Sequence, residues 1–252
     1  MIKGVLIDLS GTVHVGDRPI ADAVEAVNRL LASDLAVRFV TNTSRMTCAR
    51  LFDKLQAMGF AIPRELLFTA PLAVHRYLVQ HELRPHLLVH PDLVEEFADL
   101  SQDDPNAVVI GFAQHAFTYA NLNQAFRLLK SGAPLIATGR TRYFFEGEGL
   151  NLNTGPFIAA LEYAAETEAV ILGKPSPGFF LQAVRELGCS PEEVVMIGDD
   201  AVSDVDAALA AGLQGVLVRT GKYQDGDETR ITRDGAEVVD HVCIMIDRLL
   251  AG

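Results

Sequence analysis

A junction that occurs four times restricts this chain most: a short, unbroken apolar run that stops at a polar or charged cluster. Val5-Leu6-Ile7 gives way to Asp8-Leu9-Ser10-Gly11-Thr12, and Ala36 to Val40 gives way to Thr41-Asn42-Thr43-Ser44. Val170-Ile171-Leu172 precedes Gly173-Lys174-Pro175, and Val194-Val195-Met196-Ile197 precedes Gly198-Asp199-Asp200. Runs this short, bounded by glycine or polar residues, read as strands buried on both faces, as parallel-sheet strands are. Between the first two, Ile20, Val24, Val27, Leu30 and Leu31 recur at helical spacing. After the second, Cys48, Leu51, Leu55 and Met58 mark one face of a helix closed by Gly59. Strand, helix and strand in this order predict a parallel α/β sheet of the Rossmann-like, three-layer kind. Such sheets place their ligands at the carboxyl ends of the strands. The pattern continues with helices from about Gly178 to Leu187 and through Ala207 to Ala211. Gly215-Val216-Leu217-Val218 follows as the expected last central strand.

The middle of the chain carries a separate set of strands, at Leu87-Leu88-Val89, Val108-Val109-Ile110 and Pro134-Leu135-Ile136. Helical patterns lie between them, around Asp92 to Leu100 and Tyr119 to Leu129. This predicts an α/β module over 83–169 inserted into a core made of 1–82 and 170–252, with hinges near 82–85 and 167–169. No internal repeat or low-complexity tract interrupts it.

Composition narrows the function classes. With 252 residues and 49% hydrophobic content there is ample material for a packed core, and no apolar stretch approaches the roughly 18 residues that suggest a membrane span. Asp8 interrupts the first apolar run before a signal-peptide core could form, so the expected location is cytoplasmic, with no membrane partner. Cys48, Cys189 and Cys243 are odd in number and lack a CxxC pair, which points to ordinary reduced thiols. A formal net charge of −12, with no basic run to offset it, argues against nucleic acid as a partner.

Taken singly, the strand-end clusters are ambiguous. Asp8 could cap a helix, Thr41-Asn42-Thr43-Ser44 could be a cap cluster, Gly173-Lys174-Pro175 a turn, and Asp199-Asp200 with Asp204 a solvated acidic surface. Together they suit one task. Phosphoryl transfer needs a nucleophile, a divalent cation held by oxygen ligands, and hydroxyl, amide and ammonium groups to balance the transferring charge.

In order, Asp8-Leu9-Ser10-Gly11-Thr12, Thr41-Asn42, Lys174-Pro175 and Gly198-Asp199-Asp200 with Asp204 resemble the four motifs of the haloacid dehalogenase-like superfamily. The resemblance spans essentially the whole chain. The inserted module is similar to the C2 cap of subfamily IIA. Asp104-Pro105-Asn106-Ala107-Val108-Val109 and Asn123 to Leu129 resemble one subgroup of haloacid dehalogenase-like hydrolase domain-containing proteins in particular, which is related to a phosphatase named for phospholysine, phosphohistidine and inorganic pyrophosphate. The resemblance implies a hydrolase in which Asp8 attacks phosphorus and also binds Mg²⁺, with the Ser10 main-chain carbonyl and Asp199 completing the protein's share of the metal shell. Thr41 and the Asn42 backbone would bind the phosphoryl oxygens, and Lys174 would hold Asp8 and the phosphate together. Asp200 and Asp204 would orient metal-bound water and Lys174; alternatively Asp204 is a helix-entry carboxylate. A homodimer is a family-level expectation.

Ser10 departs from the commoner form of the motif, which carries a second aspartate there to protonate the leaving oxygen. General acid-base assistance is worth about 10² to 10⁴ in rate. The expected substrates are therefore phosphorylated small molecules or phosphoamino acids with good leaving groups: phosphoramidates, pyrophosphate, aryl and acyl phosphates. Two rival readings remain at this stage. One is a metal-independent dehalogenase; the other is a phosphate- or protein-binding relative with vestigial catalysis.

Substrate choice is expected from the module. Residues 83–169 hold 5 basic and 11 acidic side chains, so Arg140 and Arg142 either contact an anionic substrate or are solvated or interface arginines. Tyr143-Phe144-Phe145 reads as packing or a dimer contact rather than a cofactor box. His75, His81, His86 and His90 match no metal-ligand spacing.

Overall fold

A computed structural model describes residues 1–146 and 149–251. In chain order the strands and helices are β1 (Gly4–Asp8), β2 (His14–Val15), β3 (Arg18–Pro19), α1 (Ala23–Leu31), β4 (Ala36–Thr41), α2 (Cys48–Ala57), β5 (Leu67–Thr69) and α3 (Ala70–Gln80). They continue as β6 (Pro85–Leu88), β7 (Ala107–Ile110), α4 (Tyr119–Lys130), β8 (Leu135–Ala137), β9 (Tyr143–Glu146), β10 (Gly149–Leu152), α5 (Thr154–Ala165) and β11 (Val170–Ile171). The chain ends with α6 (Pro177–Leu187), β12 (Val194–Gly198), α7 (Ala207–Ala210), β13 (Gln214–Val218), β14 (Ala236–Val239) and α8 (Val242–Ala251).

Two compact units result. The first comprises 1–41, 48–68 and 174–252, the second 42–47 and 69–173. In the first, six strands lie in the order β14-β13-β12-β1-β4-β5, and every pairing from β14 to β4 is parallel. All five residues of β1 and of β12 are buried, as their unbroken apolar sequences require. Successive strands leave β1 on both sides, to β4 on one and through β12 to β13 on the other. The crevice at their carboxyl ends is thus a topological switch point. Helices α1 and α8 pack together, and α6 packs on β4 and β1.

In the second unit four parallel strands run β11-β8-β7-β6, and α4 and α5 close a core around Val108, Ile110, Leu135 and Ile158. The antiparallel pair β9–β10 stands apart from that sheet.

The expected α/β class and parallel core hold, but the boundaries at 82/83 and 169/170 shift. Val170-Ile171, expected in the core sheet, pairs with Ile136 and Ala137 of β8 instead. An apolar run is equally acceptable to either sheet, and the partner is fixed only by how soon the chain can reach an open edge. Helix α3 also groups with the second unit, because it packs on the 3-10 segment Pro91–Phe97, where His75 Nε2 lies 2.9 Å from Asp99. The helical pattern near Asp92 is that 3-10 segment. Beyond β13 one further strand, β14, forms the sheet edge.

Candidate active site

Asp8 is the last residue of β1, and its register partner on β4 is Val40, so Thr41 projects one residue further along the neighbouring strand. Asp199 follows β12 directly, on the other side of β1. Asp200 caps the next turn: its Oδ1 accepts from the N–H of Val202 (3.1 Å) and of Ser203 (2.9 Å). That turn, Ala201–Asp206, is a π-helix whose wider winding carries Asp204 back over the end of β12. Asp204 approaches so closely that a Cβ on Gly198 would lie 2.4 Å from its Oδ2, which is why the strand ends in glycine.

Lys174 Nζ lies 2.5 Å from Asp8 Oδ1 and 2.6 Å from Asp204 Oδ1. Asp8 Oδ2 accepts from Thr12 Oγ1 at 3.2 Å, and Asp204 Oδ2 accepts from the Asp200 N–H at 3.2 Å. Asp199 Oδ2 accepts from the Lys222 N–H at 2.7 Å. Asp8, Lys174, Asp199 and Asp204 are all buried, with no more than 5% of each exposed. Four of the sequence-predicted residues of the first unit, Asp8, Lys174, Asp204 and Asp200, therefore form one hydrogen-bonded and ion-paired group, and a carboxylate oxygen of Asp199 lies within 4.8 Å of those of Asp8 and Asp204. Thr41 is buried at the end of the adjacent strand.

The charge balance of this group is unusual. Three buried carboxylates face one buried ammonium. Burial first, then the charges of Asp8 and Asp204, push the Asp199 carboxyl up to about 7. Burial also pushes Asp204 up to about 6; Lys174 opposes this and Asp8 adds to it. For Lys174, burial lowers the ammonium's pKa, but Asp204 and Asp8 outweigh that and hold it above its ordinary value. Burial alone would raise Asp200; the Ser203 N–H and the Lys222 charge more than offset it, so this carboxyl sits below its usual range.

Among the described residues, one group of three His, Cys, Asp or Glu ligand atoms lies within 4.8 Å, that of Asp8, Asp199 and Asp204. An all-oxygen donor set with surplus negative charge suits a hard divalent cation. Both oxygens of Asp204 meet protein partners, Lys174 and the Asp200 N–H, and both oxygens of Asp8 do so too, Lys174 and Thr12, while Asp199 accepts from the Lys222 N–H through Oδ2.

Other predicted positions fall elsewhere. Ser10 is exposed at the mouth of the Asp8 loop. Asn42 belongs to the second unit, where its amide packs near Gly173 and Gly139. Arg140 holds Glu162 through two hydrogen bonds of 2.8 and 2.6 Å, a structural use of its guanidinium within the second unit. Arg142 and Tyr143 are exposed; the side chains of Phe144 and Phe145 lie outside the described residues.

Sequence reasoning missed three contributors: Thr12, Thr220 and Lys222. Thr220 Oγ1 donates to the Gly11 carbonyl at 2.6 Å, and the Lys222 ammonium lies 3.6 Å from Asp200 Oδ2. The available signal was the junction rule itself. Val216-Leu217-Val218 ends in Arg219-Thr220-Gly221-Lys222, a fifth apolar run stopping at a polar cluster.

Comparison with known proteins gives the family. Residues 5–101 match a family model described as haloacid dehalogenase-like hydrolase, and residues 171–244 match one described as HAD-hydrolase-like. Haloacid dehalogenase-like hydrolase domain-containing protein 2 of Rattus norvegicus is 48% identical over 231 residues, 92% of this chain and 89% of that protein. Phospholysine phosphohistidine inorganic pyrophosphate phosphatase of Xenopus laevis is 43% identical, over 99% of this chain and 95% of that protein. Among solved structures, a p-nitrophenyl phosphatase from Archaeoglobus fulgidus superposes with a TM-score of 0.90 at 27% identity, covering 98% of this chain and 99% of that one. A 4-nitrophenylphosphatase from Thermotoga maritima does so at 0.87 and 26%, covering 98% and 97%.

Proposed function

The chain belongs to the haloacid dehalogenase-like hydrolases, and from that premise we propose that it is a phosphatase working through a phosphorylated Asp8. The observation that carries this reading is the buried Asp8–Lys174–Asp204 bridge beside Asp199. Thr12 and Lys174 each contact one oxygen of Asp8 and so fix the carboxylate's orientation. An Asp8 oxygen forms a bond to phosphorus as the bond from phosphorus to the leaving group breaks. Water then attacks the same phosphorus, the bond to Asp8 breaks, and phosphate leaves. Thr41 and the peptide N–H it shares with Asn42 hold phosphoryl oxygens. Lys174 keeps two like-charged groups, Asp8 and the phosphoryl, in contact. A divalent cation, Mg²⁺ in this reading, would be held by Asp8, Asp199 and the Ser10 main-chain carbonyl and would offset charge on the phosphoryl oxygens. The second unit sets substrate choice, with Arg142 its exposed cation near β9.

Ser10 decides the substrate class. Its hydroxyl does not donate a proton near pH 7, so the leaving group departs with little help from the protein. Phosphoramidates, pyrophosphate and aryl phosphates tolerate this better than alkyl esters. The relatives named for phospholysine, phosphohistidine, pyrophosphate and p-nitrophenyl phosphate fit that ordering.

The test is a phosphate-release assay with Mg²⁺ on wild type, Asp8→Asn and Ser10→Asp. Asp8→Asn should abolish release. Ser10→Asp should raise alkyl-ester turnover relative to aryl turnover, by up to about 10². Equal wild-type turnover of alkyl and aryl phosphates would refute the role given to Ser10, and residual release by Asp8→Asn would refute the nucleophile.

A further inference from the structure

Directly after β13 the chain makes a tight approach to both the Asp8 loop and Asp199. Thr220 Oγ1 donates to the Gly11 carbonyl at 2.6 Å, and two residues later the Lys222 N–H donates to Asp199 Oδ2 at 2.7 Å. Gly221 lies between them with φ +62. A Cβ there would stand 2.2 Å from Asp199 Oδ2 and 2.3 Å from the Gly11 Cα. Gly11 is equally pressed from its own side: its φ is +97, and a Cβ would lie 1.9 Å from Asp199 Oδ2. Only two facing glycines allow the two backbones and the Asp199 carboxylate to come this close.

From this contact we infer that Thr220-Gly221-Lys222 is a positioning clamp for the cation site: it fixes the carboxylate plane of Asp199 and the carbonyl direction of the Ser10–Gly11 segment together. The clamp acts through those residues and touches no substrate. This inference rests on the reading of Asp8, Ser10 and Asp199 as the groups that hold the cation. Its physical basis is that oxygen ligands contribute fully only when held in the right direction beforehand, and that partners of ligands are what hold them. Pairing of β1 with β12 fixes the two strands as far as Ile7 and Ile197, but beyond that register the directions of the ligand groups depend on what grips the loops. The clamp comes from a third strand end and grips both.

The predicted consequence is specific to cation affinity. Thr220→Val keeps the side-chain shape and removes the donor, and it should raise the Kd for Mg²⁺, read by titration calorimetry, by about tenfold. Thr220→Ser, which restores the hydroxyl, should return to within about twofold of wild type. Gly221→Ala should weaken binding more than Thr220→Val, because its methyl group forces Asp199 aside. Asp199→Asn serves as the reference. If it leaves the Kd unchanged, the cation site itself has been misread. If it abolishes binding while Thr220→Val binds as wild type does, the clamp alone is refuted. A fall in the melting temperature of cation-free Thr220→Val with an unchanged Kd would likewise reduce the contact to a structural one and overturn the inference.

Discussion

Replacing Asp199 by asparagine should make the cation-free protein more stable while destroying its response to cation. The carboxyl of Asp199 is raised from 3.8 to about 7 by burial and by its two acidic neighbours. A group whose folded pKa lies above its unfolded value favours the folded state while protonated. That contribution is present below about pH 4 and is lost as pH rises through about 7. At about pH 8, in chelator, wild type therefore carries a buried charge it would be better without. At roughly 1.4 kcal/mol per pH unit, a rise from 3.8 to about 7 corresponds to about 4 kcal/mol. Taking half of that, about 2 kcal/mol, allows for water entry and relaxation around the ion.

Asparagine is isosteric and keeps an oxygen to accept the Lys222 N–H, so the substitution removes the charge without removing the hydrogen bond. For a chain of this size 1 kcal/mol corresponds to roughly 2–4 °C in melting temperature, and the variant should melt roughly 4–8 °C above wild type. The measurement is differential scanning calorimetry of both proteins in chelator at about pH 8 and about pH 5. The gap should be large at the higher pH and small at the lower, where the wild-type carboxyl is already protonated. Saturating Mg²⁺ should raise the melting temperature of wild type only, because a ligand that binds the folded state alone stabilises it. A variant that melts at or below wild type at about pH 8 would refute the charge balance assigned to this site.

Two further outcomes follow from the same group. Protons and cation compete for Asp199, so the Kd for Mg²⁺ should rise as pH falls below about 7, by at most about tenfold per pH unit, as calorimetric titrations across pH would record; a Kd independent of pH would show that Asp199 does not hold the cation. Lys174→Met removes the one buried ammonium bridging Asp8 and Asp204 and should cost about 3–5 kcal/mol in denaturant unfolding of the cation-free protein at about pH 8, with a smaller loss at about pH 5, where Asp199 and Asp204 take up protons.

What could be read beforehand follows from how strongly each element is specified by burial. Strands β1, β4, β12 and β13 are buried on both faces or nearly so, and such strands must be written as apolar runs. The polar ends of β1, β4 and β12 stood out by contrast and drew attention to Asp8, Thr41 and Asp199, while Lys174 stood out after the apolar run of β11. Edge strand β14 reads Ala236-Glu237-Val238-Val239, half exposed, and gave no such contrast. Strand β11 was legible as a strand but not as a member of either sheet, since pairing is a property of two segments and the run describes only one. Helix α5 begins Thr154-Gly155-Pro156, and Gly155 passes so near the Thr141 carbonyl that a Cβ would lie 2.8 Å from it. At the site, the motif residues were found because they are chemically conspicuous. Thr12 and Thr220 act by single hydrogen bonds to groups far away in sequence or on a neighbouring turn, and a threonine at such a position looks like any other.

The same burial argument separates the rival chemistries. Displacing halide from carbon needs one carboxylate nucleophile, and a nearby lysine to neutralise it would suffice. This site adds two more buried carboxylates, Asp199 and Asp204, to that minimum. Asp200 does not change the count, because Lys222 lies 3.6 Å from it. Above about pH 7, where Asp199 and Asp204 are ionised, three buried acids less one buried ammonium leave two negative charges in a place where burial penalises them. A fold retains such a cost only if something relieves it, and a divalent cation carries the charge that does. The surplus is thus useful to an enzyme that must first hold a cation and then draw in an anionic phosphoryl group, and only a cost to one that works on neutral carbon.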